Sequence, residues 1–227
     1  MRRIKLTVAY DGTNYCGWQI QPNGITIEEV LNQKLSKLTG EEIHVIGASR
    51  TDSGVHALGN IAVFDTNSTI PPGRFACAVN QKLPEDIVVI HSEEVPQGWH
   101  PRYQDCTKYY EYHILNSPIP NPLCRLTTSH VSFPLDEEKM QAAANYLTGT
   151  HDFKSFCNIR TNTRSARFTA LTSFGTERKS RSASVETASY TTWYVSSPVH
   201  SSGLAVASIS RNRSKRSSTQ KNVPRPE

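Results

Sequence analysis

The sequence lacks the cysteine pattern of a metal site or a disulfide framework. Its five cysteines are widely spaced and no Cys-x-x-Cys pair occurs, so neither a zinc motif nor a redox motif is predicted. We expect free thiols in a reducing compartment. The sequence also lacks an apolar run long enough for a transmembrane helix, and Met1–Lys5 begins no secretory stretch. A soluble, cytoplasmic protein is the resulting expectation.

Acidic residues are scarce in the last part of the chain. The 62 residues from Ala166 onward contain ten Lys/Arg, three Asp/Glu, no aspartate and 14 serines. The first 165 residues carry 15 basic and 17 acidic side chains, so the net charge of +5 comes from the tail. A disordered basic tail is one interpretation, and an RNA-binding arm around Arg211–Arg216 is the other.

Hydrophobic periodicity predicts strands and helices in the first 95 residues. Ile4, Leu6, Val8 and Tyr10 alternate with other residues, as in a strand. Thr26 and Glu29 form a capping box before an amphipathic helix that Gly40 ends. The remaining predicted elements are strands at Ile43–Ile46, Asn60–Phe64 and Ile87–Ile90 and a helix around Arg74–Leu83.

A second unit is predicted to begin near Thr107. An alternating, β-rich segment covers Lys108–Ile114, and Asp136 is expected to cap a helix that Gly149 ends. No further sheet partners are evident after about Arg160. We therefore predict an α+β fold of two ferredoxin-like βαββ-type units with a mixed or antiparallel sheet, the second truncated. The predicted boundaries are 1–105 for the catalytic domain, 106–165 for the start of a C-terminal domain and 166–227 for the tail.

Five segments share a pattern with a known family. Taken alone, the Asp-Ser-Gly sequence within Gly47–Ala57 is typical of a turn. In collinear order, however, the chain contains Tyr10–Gln19, Gly47–Ala57 with Arg-Thr-Asp-Ser-Gly-Val-His, Asn80–Ile87, Lys108–Tyr112 and His151–Phe156. Over about residues 1–165 these segments resemble the tRNA pseudouridine synthase A (TruA) family. An unrelated α+β RNA-binding module would have to produce them by chance.

The resemblance implies a site and a chemistry. Asp52 is the expected nucleophile, which attacks either the ribose C1′ or the uracil C6. Tyr110 is expected to stack on the base and handle a proton, although an ordinary strand aromatic is the alternative. Arg50 is expected to contact the RNA backbone or fill the gap left by a flipped nucleotide; otherwise it is a surface cation.

The resemblance also implies the partners. The expected substrate is the anticodon stem-loop of tRNA at uridines 38 to 40, recognised through phosphate contacts and shape. The reaction requires no cofactor and no metal. Family members dimerise with the RNA bound across both subunits, so a homodimer is expected.

The family pattern stops near Ser165, where the family continues into strands and a Gly-Asn-Gly-Phe-Leu-Tyr-Asn-Met-Val-Arg-Ile-Ile segment. The codons of Glu186–Ser197, read one base earlier, can spell that segment. Trp193 ends in G and Tyr194 starts with TA, so one shifted codon must encode valine. Our hypothesis is that the chain leaves its original reading frame near Ser165.

The frame hypothesis has a mechanistic consequence. By resemblance, the arginine of Met-Val-Arg pairs with the catalytic aspartate, and its codon here straddles Tyr194 and Val195. The sequence therefore leaves two functions open. One is a working tRNA pseudouridine synthase, and the other is a truncated, catalytically inactive relative that at most binds tRNA.

Overall fold

The fold is described by a computed structural model, which describes residues 1–104, 106–152, 165–176, 180–188 and 205–210. These residues form an α+β structure with one ten-stranded mixed sheet. Its strands are β1 (Arg2–Tyr10), β2 (Ile46–Gly47), β3 (His56–Thr66), β4 (Ile87–Val95), β5 (Thr107–Asn116), β6 (Ser129–Val131), β7 (Gly149–Asp152), β8 (Ser165–Thr176), β9 (Ser180–Ala188) and β10 (Ala205–Ser210). The helices are α1 (Ile27–Thr39), α2 (Phe75–Asn80) and α3 (Glu137–Leu147).

The first unit has the predicted βαββαβ order. Strand β1 pairs antiparallel with both β3 and β4, and the short β2 pairs with β3. The alternating apolar side chains of β1 point to the same core as α1 and α2, so both helices cover one face of the sheet. The buried core is dominated by Trp18, Phe64, Phe75, Ile4, Leu6, Leu31 and Leu35.

Helix α1 begins and ends as its sequence predicts. The Thr26 hydroxyl accepts a hydrogen bond from the Glu29 backbone N–H, which satisfies one of the free donors at the helix start. Gly40 closes the helix in the left-handed conformation, with φ 73°. The buried residues Ile27, Val30, Leu31 and Leu35 recur at helical spacing.

Several predicted boundaries were wrong. Ile43 and Val45 are buried in the core, but only Ile46–Gly47 forms ladder bonds there. Helix α2 is shorter than predicted, and β3 is longer at both ends because its pairing with β1 extends to Thr66. Such boundaries depend on pairing partners distant in sequence, which local periodicity does not reveal. Helix α3 begins after its predicted cap, Asp136, but Thr148 is its C-terminal cap and Gly149 opens β7.

The prediction that sheet partners are missing after Arg160 was wrong. Strands β8 and β9 pair with each other, and β9 pairs with β5. Strand β10 lies between β3 and β5, parallel to the former and antiparallel to the latter, and joins the two units into one sheet. Backbone groups pair whatever side chains they carry, so a strand can form without a clear hydrophobic period.

Some expectations fall outside the described residues. These include most of the His151–Phe156 segment and the basic run Arg211–Arg216. Among the residues that are described, no helix is both long enough and apolar enough to cross a bilayer.

Candidate active site

Asp52 lies on a tight turn between β2 and β3, hereafter the Asp52 turn (Arg50–Val55). The Val55 N–H donates to the Asp52 carbonyl at 3.2 Å, and Gly54 adopts φ 79°. Solvent reaches the Asp52 side chain, but the surrounding protein removes enough water to raise the pKa of its carboxyl above the usual value. The turn therefore presents a partly desolvated carboxyl group at the surface.

A neighbouring loop, the Asp11–Trp18 loop, supports the Asp52 turn through backbone contacts. The Trp18 N–H donates to the Thr51 carbonyl at 3.1 Å, and the Gly54 N–H donates to the Tyr15 carbonyl at 3.2 Å. The Ser53 hydroxyl donates to the same Tyr15 carbonyl, also at 3.2 Å. Backbone bonds from both sides hold the turn, so its geometry depends little on its own side chains.

Gly17 allows this close approach and provides a test of it. Gly17 has φ 81°, and a Cβ there would clash with the backbone carbonyl oxygen of Thr51. We expect Gly17→Ala to lower the free energy of unfolding by roughly 2–5 kcal/mol, from backbone strain and overpacking together. Urea denaturation measures the change.

Gly40→Ala is the matched control for Gly17→Ala. Gly40 has a similar φ of 73°, but a Cβ there would meet nothing within 4 Å. Its substitution should therefore cost only the backbone strain, roughly 1 kcal/mol. Equal losses in the two variants would contradict the tight packing of the Asp11–Trp18 loop against the Asp52 turn.

A third segment anchors the Asp11–Trp18 loop. The Tyr15 hydroxyl donates to the Asp86 carboxylate at 2.6 Å, and the Asp11 N–H donates to the Asp86 carbonyl at 2.9 Å. Burial, followed by the Asp86 carboxylate, raises the pKa of Tyr15 well above its usual range, so Tyr15 stays a neutral donor. The three family-like segments of the first unit thus form one connected structure.

Two tyrosines lie close to the Asp52 turn. The Tyr10 and Thr51 hydroxyls are 2.9 Å apart, and burial raises the pKa of Tyr10 to about 12. Burial and then the nearby Asp52 carboxylate raise the pKa of Tyr110. The backbone of Ala207 in β10 pairs with both Ala57 and Tyr110, which places β5 two strands from β3. Asp52 and Tyr110 therefore lie in the same region of the sheet, near enough for the carboxylate to affect the pKa of the tyrosine.

Arg50, at the start of the Asp52 turn, is exposed. It has no hydrogen bond or ion pair with the described residues. Asp52 likewise has no cationic partner among them, and burial is the cause of its raised pKa. In the described part of the chain, then, the site contains a carboxyl group without a neutralising cation.

Polar groups around the Asp52 turn are incompletely paired. Five buried side-chain polar atoms lack a hydrogen-bond partner among the described residues. Four of them belong to residues on or beside the turn, namely Trp18, Ser49, His56 and Asn60. Unpaired buried polar groups are costly, and their concentration in one place is typical of a functional site.

Residues other than the three predicted ones contribute to the site. The sequence prediction missed Tyr10, Thr51, Asp11, His56 and Asp86 as contributors. All five lie within the segments that carry the family resemblance, and that was the available signal. Their spacing along the chain gave no indication of which of them touch.

This chain is similar to known proteins over the part that contains the Asp52 turn. The family model described as tRNA pseudouridine synthase matches residues 6–104, which include the Asp52 turn. The chain is 53% identical over 156 residues to the tRNA pseudouridine synthase A of Acetivibrio thermocellus, covering 69% of this chain and 64% of the relative. It is 49% identical, with the same coverage, to that of a Thermoanaerobacter species.

A third relative is matched over more of its length. The tRNA pseudouridine synthase A of Geotalea uraniireducens is 44% identical over 168 residues, which cover 72% of this chain and 69% of the relative. The match thus covers about two thirds of the length of these curated relatives, and 64% of the length of the two with the higher identity. With this identity over this length, the chain belongs to the tRNA pseudouridine synthase A family.

Proposed function

We propose that this chain is a tRNA pseudouridine synthase, with Asp52 as the nucleophile. One observation carries the proposal: Asp52 is solvent-accessible on a turn that backbone bonds hold, and its carboxylate is near enough to raise the pKa of Tyr110. A reactive carboxylate needs access to substrate and a fixed position, because misplacement by about 1 Å can cost roughly 100-fold in rate.

The chemistry requires few groups. Formation of pseudouridine breaks the bond between C1′ and N1, joins C1′ to C5, and moves a proton from C5 to N1 of the base. Asp52, once ionised, attacks either C1′ or C6 and leaves when the new bond forms. Tyr110 has a raised pKa, so it stays neutral and can stack on the base and donate or relay a proton.

The proposed substrate is the anticodon stem-loop of tRNA at uridines 38 to 40. A base in a stacked stem must leave the stack to reach Asp52. Arg50 is exposed two residues before Asp52, so it is free to contact a phosphate or the gap left by the flipped nucleotide. A cytoplasmic homodimer that binds RNA across both subunits, without cofactor or metal, completes the proposal.

A second function is favoured by the environment of Asp52. Its pKa is raised by burial, and no cation among the described residues opposes that shift. Reactivity requires the ionised form, which an adjacent arginine would stabilise. If the tail is out of frame, this chain retains the tRNA-binding surface of the family but lacks the group that keeps Asp52 ionised.

Tritium release separates the two functions. We expect purified protein to bind tRNA in a gel shift and to release tritium from uridine C5 when pseudouridine forms. Binding without release would support the inactive relative. Release mapped to uridines outside 38–40 would contradict the proposed substrate, and absence of both binding and release would contradict both functions.

A further inference from the structure

His56 occupies an unusual position at the end of the Asp52 turn. It is the first residue of β3 and is only 7% exposed, although histidine is a polar side chain. Its Nδ1 atom lies 3.1 Å from Oδ1 of Asp11, in the Asp11–Trp18 loop. Asp11 and His56 are 45 positions apart in the sequence, so their contact joins two separate segments.

Asp11 is a fixed anchor for this contact. Its Oδ1 accepts hydrogen bonds from the Thr13 N–H at 2.9 Å and from the Thr13 hydroxyl at 2.5 Å. Its own N–H donates to the Asp86 carbonyl at 2.9 Å. The backbone and side chain of Thr13 therefore hold the Asp11 carboxylate, and the Asp86 backbone holds the Asp11 backbone.

The second imidazole nitrogen of His56 faces the second unit. Nε2 is buried and has no hydrogen bond of good geometry among the described residues. Burial lowers the pKa of His56, whereas the Asp11 carboxylate and then the backbone of Leu126 act in the opposite direction. His56 thus lies between three parts of the chain, and its Nδ1 atom lies 3.1 Å from a carboxylate oxygen of Asp11.

The Asp52 turn is held by contacts on both sides of Asp52, and His56 follows directly after its last residue. Bonds from Trp18 and Tyr15 hold the turn at Thr51 and Gly54. At its end, Gly12 packs so closely on the Val55 carbonyl that a Cβ would clash, and the next residue is His56. The contact between Asp11 and His56 is the side-chain contact that fixes this end of the turn in the described structure.

We propose that His56 is a positioning residue for Asp52, which acts through its Nδ1 contact with Asp11 to hold the end of the Asp52 turn. The role of Asp52 itself rests on the proposed function. The competing explanation is that His56 merely fills space in the fold. Space filling requires only volume, whereas positioning requires a side-chain N–H where Nδ1 lies.

Hydrogen exchange in the full 227-residue chain distinguishes these explanations. We expect His56→Leu, which keeps bulk but removes the donor, to speed exchange of the Gly54 and Val55 amides about tenfold, with helix α1 unchanged. His56→Asn, which restores a donor near the Nδ1 position, should return exchange to within about threefold of the parent. Equal exchange in the Leu and Asn variants would overturn the proposal.

Asp11→Ala guards against failure of the buried variants to fold. Asp11 is partly exposed, and alanine removes the Oδ1 atom that faces Nδ1 of His56. Thr13→Ala, which removes only the hydroxyl bond to the same oxygen, is its control. Exchange of the Asp52 turn should rise several-fold in Asp11→Ala without a matching rise in α1. A uniform rise across the sheet, or no rise, would contradict the positioning role.

His113→Ala serves as the matched control. Its Nε2 lies 3.1 Å from the Glu111 carboxylate, the same distance as in the Asp11 contact, but on strand β5 two residues apart. Its loss should leave exchange of the Asp52 turn unchanged.

Turnover provides a second reading where the parent protein is active. Positioning predicts a lower kcat with an unchanged KM in His56→Leu and partial recovery in His56→Asn. If the parent releases no tritium, the proposed function fails, but the exchange experiment still decides whether His56 holds the turn.

Discussion

Reading the codons after Ser165 one base earlier is expected to raise turnover of tRNA by at least about 100-fold. By the family resemblance, the shifted frame would supply an arginine that pairs with the Asp52 carboxylate, which has no cation beside it among the described residues of this chain. Loss of one partner of a buried ion pair costs about 3–5 kcal/mol, and each 1.4 kcal/mol is about tenfold in rate. Tritium release from both chains measures the gain.

The arginine itself is the control for this experiment. A frame-restored chain with alanine in place of that arginine should lose most of the gain while keeping its fold by circular dichroism. A restored chain no more active than the 227-residue chain would contradict the hypothesis. So would coding DNA in which the shifted codons do not spell the family segment.

Replacement of Asp52 by asparagine or alanine is expected to reduce turnover of an active chain by on the order of 10⁴-fold or more. Loss of a nucleophile removes the covalent step rather than weakening a contact. The comparison is made in whichever chain, parent or frame-restored, releases tritium. Equal turnover in the Asp52→Ala variant and its parent would rule out Asp52 as the nucleophile.

Stability provides the control that this loss is not unfolding. The pKa of Asp52 is higher in the folded protein than its usual value, so the folded state binds the proton more tightly. The charged form therefore opposes folding at neutral pH, and this penalty disappears as pH falls below about 4, near the usual pKa. Asp52→Asn should raise Tm slightly at pH 7, because it removes the charge whose burial opposes folding. Its Tm advantage should shrink toward zero in acid.

The outcome of sequence interpretation differed between local and distant features. The cap at Thr26, the end at Gly40 and the alternation in β1 depend on residues within one turn or one strand, and each was predicted correctly. The pairing of β10 between β3 and β5 was missed, because no pattern of side chains in the sequence predicts it. The boundaries of β2 and α2 were misjudged for the same reason.

The site shows the same division. Asp52 and Tyr110 were predicted from the family-like segments, and the Asp52 carboxylate contributes to the raised pKa of Tyr110. Arg50 was predicted as well, and it is exposed where RNA could reach it. The contacts of Asp11 with His56 and of Tyr15 with Asp86 join residues that are 45 and 71 positions apart, and they were not foreseen.

The family, the position of the candidate nucleophile Asp52 and the local helix and turn signals could all be predicted from the sequence of this protein. Those features depend on short segments whose hydrogen bonds join residues only a few positions apart. The contacts that support the Asp52 turn and the way the two units join in one sheet became evident only in the folded structure. These depend on contacts between distant segments, whose partners are selected by chain packing and backbone pairing rather than by any local pattern.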